Sequence, residues 1–99
     1  MTELEFTKLF WKIARKMKYK KRVIDLAIVL EKDWLRWGMC SINEETKYGI
    51  LYFKKLLLEE PRMFIIEVII EELLHLEIQN HEIEFVNKLK FWFKRLKNL

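Results

Sequence analysis

Hydrophobic residues recur near helical period at both ends of this chain and bunch at strand-like density in its middle. Leu4, Leu9, Phe10, Ile13, Ala14 and Met17 share one helical face, and Thr2 with Glu5 has the spacing of a capping box. Residues 3–18 therefore read as an amphipathic helix. "VIDLAIVLE", residues 23–31, is rich in β-branched residues and bounded by charges, which predicts a strand; "KYGILYFKKL", residues 47–56, predicts a second. Between them, Gly38 and Asn43 in "WLRWGMCSINEET" permit turns. The expectation is a small sheet of two or three strands.

Pro61 after two glutamates marks a helix start, because proline suits the first helical position and acidic residues favour the positive end of the dipole. The spacing predicts a helix over 61–79, with Asn80 as a left-handed residue that reverses the chain. A last helix over 82–98 places Phe85, Val86, Leu89, Trp92, Phe93 and Leu96 on one side and lysines opposite, with Phe91 alone on the polar side. The predicted class is α+β, in one domain spanning 1–99.

Composition narrows the function classes. The 99 residues suffice for one core, 52% are hydrophobic and 14% aromatic, so the chain is no disordered segment. The longest apolar run is broken by Glu67, well short of the roughly 20 residues of a membrane span. The lone Cys40 has no partner for an internal disulfide and no leader opens the chain, so a cytoplasmic location is expected. Abundant Lys, Glu and Ile with only two Gly fits a heat-adapted or AT-rich source. The net charge of +4 is concentrated in "RKMKYKKR", residues 15–22, which alone does not establish nucleic-acid binding.

The chemistry lies in "EELLHLEIQNH", residues 71–81. With His in place of Glu71 it would be an HExxH zinc-protease helix followed by a third ligand. At about 100° per residue, apolar side chains cover well over half of the 61–79 helix and leave a stripe of Glu67, Glu71 and His75, with Glu72 at its flank. Glu71 and His75, at i and i+4, can point at one ion, and His81 can approach from beyond the Asn80 turn. One carboxylate and two imidazoles form a zinc set with an open fourth position. Glu72, beside the ligands, has the place of a base that takes a proton from water. A helical Glu71–His75 ion pair with a capping or surface His81 is the plain structural alternative.

The wider order of elements resembles a known family. "RWGMCS", then "GILYF", then a Pro-started helix with "EELLHL" and "QNH", is similar to the soluble minimal zinc metallopeptidases of the SprT-like and YgjP-like kind and, in size, to the minigluzincins. The resemblance covers about residues 23–93. It implies a small zincin-like domain: an N-terminal helix, a short sheet whose edge strand faces the cleft, an active-site helix and a backing C-terminal helix. By position it implies Glu72 as general base, His75 and His81 as second and third zinc ligands, and a structural role for Trp37, Gly38 and Cys40, with Trp37 in the core. It departs at the first ligand, where the family has His and this chain has Glu71. The function it implies is zinc-dependent hydrolysis of a peptide or protein substrate, weak or latent, with a catalytically inactive peptide-binding module as the alternative.

In either case the cleft's edge strand is expected within residues 48–53, where an extended peptide can add by backbone hydrogen bonds. The apolar C-terminal helix admits a monomer or a helix-exchanged dimer. Nucleic acid is a weaker partner, resting on the 15–22 run with Lys88, Lys90, Lys94, Arg95 and Lys97. Di-iron chemistry requires a second ExxH helix that the chain lacks. Cys40 reads as a small buried residue rather than a nucleophile.

Overall fold

Thr2 opens the first helix through a reciprocal cap. Its hydroxyl accepts from the Glu5 amide at 3.1 Å, while the Glu5 carboxylate accepts from the Thr2 amide at 3.0 Å. Helix α1 (Glu3–Lys16) follows and buries Phe6, Leu9, Phe10, Ile13 and Ala14. Each large side chain among them contributes about 1.5–3 kcal/mol of transfer free energy. The computed structural model describes residues 1–19, 24–29 and 35–99, and of 27–29 the backbone alone. The expected strand's ends at Val23, Leu30 and Glu31, and Lys20 to Arg22 of the basic run, lie outside the described residues.

The end of α1 departs from the usual residue choice. Lys18 takes φ 68°, and the amides of Lys18 and Tyr19 donate to the carbonyls of Arg15 and Ala14. That is the Schellman closure, normally made by glycine because a Cβ disfavours left-handed backbone.

Three strands follow: β1 (Ile24–Val29), β2 (Gly38–Ile42) and β3 (Gly49–Lys54), in the spatial order β1-β3-β2. β1 runs parallel to β3 with Ile24 opposite Gly49, and β2 runs antiparallel with Gly38 opposite Phe53. Two expectations are corrected. The strand within 48–53 is central rather than an edge, and the "GMCSI" stretch between the expected strands is itself the cleft-side edge. β2 forms because a tight loop folds it back on β3: Asn43 Oδ1 accepts from the amides of Glu45 and Thr46, and the Asn43 amide donates to the Tyr48 carbonyl at 2.9 Å. Asn43 thus makes the turn its type suggested.

Along β3, Gly49, Leu51 and Phe53 are buried, and the Phe53 ring meets Phe6 and Phe10 edge-on at 5.2 and 5.8 Å between centroids. A 3₁₀ turn, Lys55–Glu59, then leads to helix α2 (Arg62–Leu74), which follows Pro61 and buries Ile65, Ile66, Val68, Ile69, Ile70, Glu72, Leu73 and Leu74.

Helix α2 stops at Leu74 rather than near Gln79. The amides of Leu76 and Glu77 bond three residues back, to Leu73 and Leu74, which tightens the last turn. Leu76 lies against Gly49, its Cδ2 in the space a Cβ there would take. Asn80 is not left-handed, since Lys18 and Lys47 are the non-glycine residues of positive φ among those described. It accepts from the Glu82 amide at 3.1 Å and so turns the chain into helix α3 (Ile83–Leu96).

Helix α3 buries Phe85 and Leu96, half-buries Leu89, Trp92 and Phe93, and leaves Val86 exposed. Phe91, on the polar side, is exposed under the Arg95 guanidinium, 3.5 Å from the ring centre. Among the described residues no helix is long and apolar enough to cross a membrane.

Candidate metal centre

The end of α2 positions the first two candidate ligands. Glu71 is one turn from the helix end, and His75 caps that end in helical conformation, its amide donating to the Glu71 carbonyl at 3.2 Å. His75 Nδ1 lies 3.0 Å from the Ile78 carbonyl oxygen. A carbonyl only accepts, so that contact puts the hydrogen on Nδ1 and the free lone pair on Nε2. The early end of the helix is what brings the Ile78 carbonyl within reach.

His81, just before α3, completes the group. Its ring meets that of His75 at 4.7 Å and 90°, and the buried Phe85 ring lies under both: stacked on His75 at 4.6 Å and 18°, edge-on to His81 at 4.9 Å. One aromatic side chain thus orients two imidazoles from different segments. Glu71, His75 and His81 each present a ligand atom, all within 4.8 Å of one another. Glu67, further back on the same stripe, is not in this group.

The donor set fits a small divalent cation. Donors about 2.1 Å from a tetrahedral ion stand about 3.4 Å apart. Glu71 Oε1 and His81 Nε2 are already at 3.5 Å. The widest separation has at most about 1.4 Å to close, and His81, with a side chain 62% exposed, has the freedom to move. Two imidazoles with one carboxylate suit zinc.

Glu72 lies beside this group and is buried, 7% exposed. Its side chain packs against Gly38, where an added Cβ would stand 2.7 Å from Cγ and 3.1 Å from Cδ. The glycine of "WGMCS" is therefore the notch in β2 that admits Glu72. Burial pushes the Glu72 carboxyl up to about 7; the neighbouring Glu71 charge raises it further and Arg36 opposes the rise. A carboxyl in that range can both take and return a proton near neutral pH.

A cleft of about 950 Å³ runs between β2 and α2, lined by Arg36 to Cys40 on one side and by Phe64, Val68, Glu71, Glu72 and His75 on the other. Trp37 is half-buried at the rim of the core rather than within it, edge-on to Phe64 at 5.5 Å. Cys40 is half-buried, and burial, followed by the Glu72 charge, pushes its thiol up to about 11, which keeps it unreactive. Arg36 was missed as a site residue by sequence reasoning; its position two residues before the notch glycine was the available signal.

Of the basic residues, Lys8, Lys12 and Arg15 line a groove on α1 with Trp11 and Tyr19, apart from the cleft, and Lys88 pairs with Glu77 at 3.4 Å.

No family model matches the chain, and no curated protein matches it in sequence. Its fold is similar to the crystal structure of the metallopeptidase zymogen of Pyrococcus abyssi abylysin, with a TM-score of 0.62 and 15% identity over 92% of this chain and 87% of that chain. At that identity the likeness is one of fold; among the described residues this chain has three α-helices and a three-stranded mixed sheet in a small α+β arrangement, with a Glu71, His75, His81 group that could hold a metal ion.

Proposed function

We propose that the chain is a single zincin-like domain acting as a zinc-dependent peptidase, with Glu71, His75 and His81 holding the ion and Glu72 as general base. The observation that carries this reading is the convergence of the three ligand atoms within 4.8 Å beside a buried carboxyl. The metallopeptidase fold of the structural neighbour supports the reaction class.

A zinc ion bound there would supply an electrophile that polarises the scissile carbonyl and acidifies the attacking water. The chain's own residues do the rest. Glu72, kept from bulk water against Gly38, accepts the proton of the water and returns it to the leaving amine. β2 offers its open edge to an extended peptide, whose backbone it holds without regard to sequence. The Ile78 carbonyl keeps His75 in one tautomer. Glu71 in the first-ligand position binds a cation tightly but lowers its electrophilicity, which favours weak or latent activity.

A second reading draws on the 3.5 Å contact between Glu71 and His81, which closes the group as an ion pair without any ion. In that case the cleft is a peptide-binding module without hydrolysis. Elemental analysis of protein purified without a histidine tag separates the two. The peptidase reading expects close to one zinc per chain, lost in His75→Ala and in Glu71→Gln. Metal-free native protein whose Glu71→His variant gains zinc would mean that the site is degenerate, and would leave the module as the reading.

A further inference from the structure

The pairing of β2 reveals which of its backbone groups face the cleft. The Lys54 amide donates to the Trp37 carbonyl and the Asn43 amide to the Tyr48 carbonyl, each at 2.9 Å. In an antiparallel ladder this alternation turns the N–H and C=O of residues 37, 39, 41 and 43 toward β3. Gly38, Cys40 and Ile42 therefore turn theirs toward the open side, where no described strand pairs with them, and all three line the cleft. Backbone bonding fixes the track of a bound peptide but leaves its direction open.

Charge sets the direction. Among the described residues lining the cleft, Arg36 is the one Lys or Arg, against Glu44, Glu71 and Glu72. Glu44 is already paired with Lys47 at 3.4 Å, whereas Arg36 is exposed and forms no ion pair with any described residue. It stands two residues before Gly38, whose α-carbon abuts Glu72, in the bend that leads into β2, and so at most about 7 Å along the chain from that glycine. A peptide antiparallel to β2 runs from Ile42 toward Arg36 and delivers its C-terminal side to the guanidinium. A parallel peptide would deliver its ammonium end there.

We propose that Arg36 is the specificity-determining residue of the cleft, binding a carboxylate carried about two residues beyond the peptide bond that lies at Glu72. This rests on the reading of the cleft as a peptide site. The carboxylate is that of a chain terminus or of an Asp or Glu side chain, and the guanidinium takes either as a two-pronged acceptor. The preferred substrates are consequently peptides antiparallel to β2 with an acid near the cut on its C-terminal side, including short peptides that would lose a dipeptide.

The test uses one N-terminally labelled hexapeptide sequence in four forms: free carboxyl, amidated, amidated with a final Glu, and amidated with a final Lys. Binding is read by fluorescence anisotropy at low salt, with the protein supplied with stoichiometric zinc. Wild type is expected to bind the free acid, the final-Glu amide or both about fivefold more tightly than the plain amide, as befits a partly exposed charge pair. The acid that shows the preference identifies the source. Arg36→Gln should bring all four Kd values together, while Arg36→Lys retains part of the preference.

Equal Kd values in wild type, a preference that survives Arg36→Gln, or no binding of any peptide overturns the proposal. Zinc retained after desalting and peptide cleavage are measured on the same protein. A carboxylate preference without zinc or cleavage sinks the peptidase reading and leaves the role of Arg36 standing. Zinc and cleavage without the preference do the reverse.

Discussion

The α-carbon of Gly38 faces the side chain of Glu72 so closely that a methyl group there would lie 2.7 Å from its Cγ and 3.3 Å from Oε2. One strand and one helix are thereby locked at the distance that buries the carboxyl.

Gly38→Ala is expected to displace Glu72 or spread β2 from α2. Overpacking of this kind costs about 1–3 kcal/mol. On the proposed peptidase reading, activity should fall at least tenfold while zinc content stays unchanged, because Glu71, His75 and His81 are not touched. Thermal melting, elemental analysis and a peptide-cleavage assay on the same sample check this; a variant with wild-type melting and rate would show that the notch is unimportant.

Phe85→Leu removes the ring on which His75 stacks. Side chains that orient a ligand contribute roughly ten- to a hundredfold in metal affinity. Zinc affinity should drop about tenfold in competition with a chromophoric chelator. His75 and His81 themselves remain, so excess zinc should restore the bound state.

The burial of Glu72 makes metal-free stability depend on pH. Its carboxyl lies at about 7 in the fold, against 4.5 for a glutamate open to water in the unfolded chain. Below pH 4.5 both states are protonated; between 4.5 and about 7 the folded protein holds a proton that the unfolded chain has released. Stability from this group is therefore full at low pH and is lost as pH rises to about 7, by on the order of 3 kcal/mol. Urea midpoints in chelator at pH 5 and pH 8 should show wild type losing more than Glu72→Gln; equal losses would mean that the carboxyl is not desolvated.

Lys18→Gly should stabilise the protein by about 0.5–1 kcal/mol, because the left-handed position at the end of α1 is occupied by a residue with a Cβ. Chemical denaturation reads this directly. A destabilised variant would mean that the lysine side chain does more than its backbone costs.

Much of the site was legible because it is local. Glu71 and His75 share a helix face through their spacing alone, and the Asn80–His81 pair announced a turn that returns a third candidate ligand. What escaped depended on partners distant in sequence. "GMCSI" carries one β-branched residue and a glycine, so it reads as a loop until β3 lies beside it. The apolar pattern of 75–78 continues that of the helix, and only the packing of Leu76 onto Gly49 and the capture of His75 by the Ile78 carbonyl end it at Leu74. The order β1-β3-β2 is likewise a product of long-range pairing.

The described residues that line the cleft all fall between Arg36 and His81 in the chain. α1 and β1 support that stretch from behind: Phe6 and Phe10 meet Phe53, α1 also packs on α2, and β1 joins the edge of β3 opposite β2. A change in α1 or β1 therefore reaches the cleft through the packing of α2 and β3, whereas a change in β2 or α2 alters the lining and the stability of the fold together.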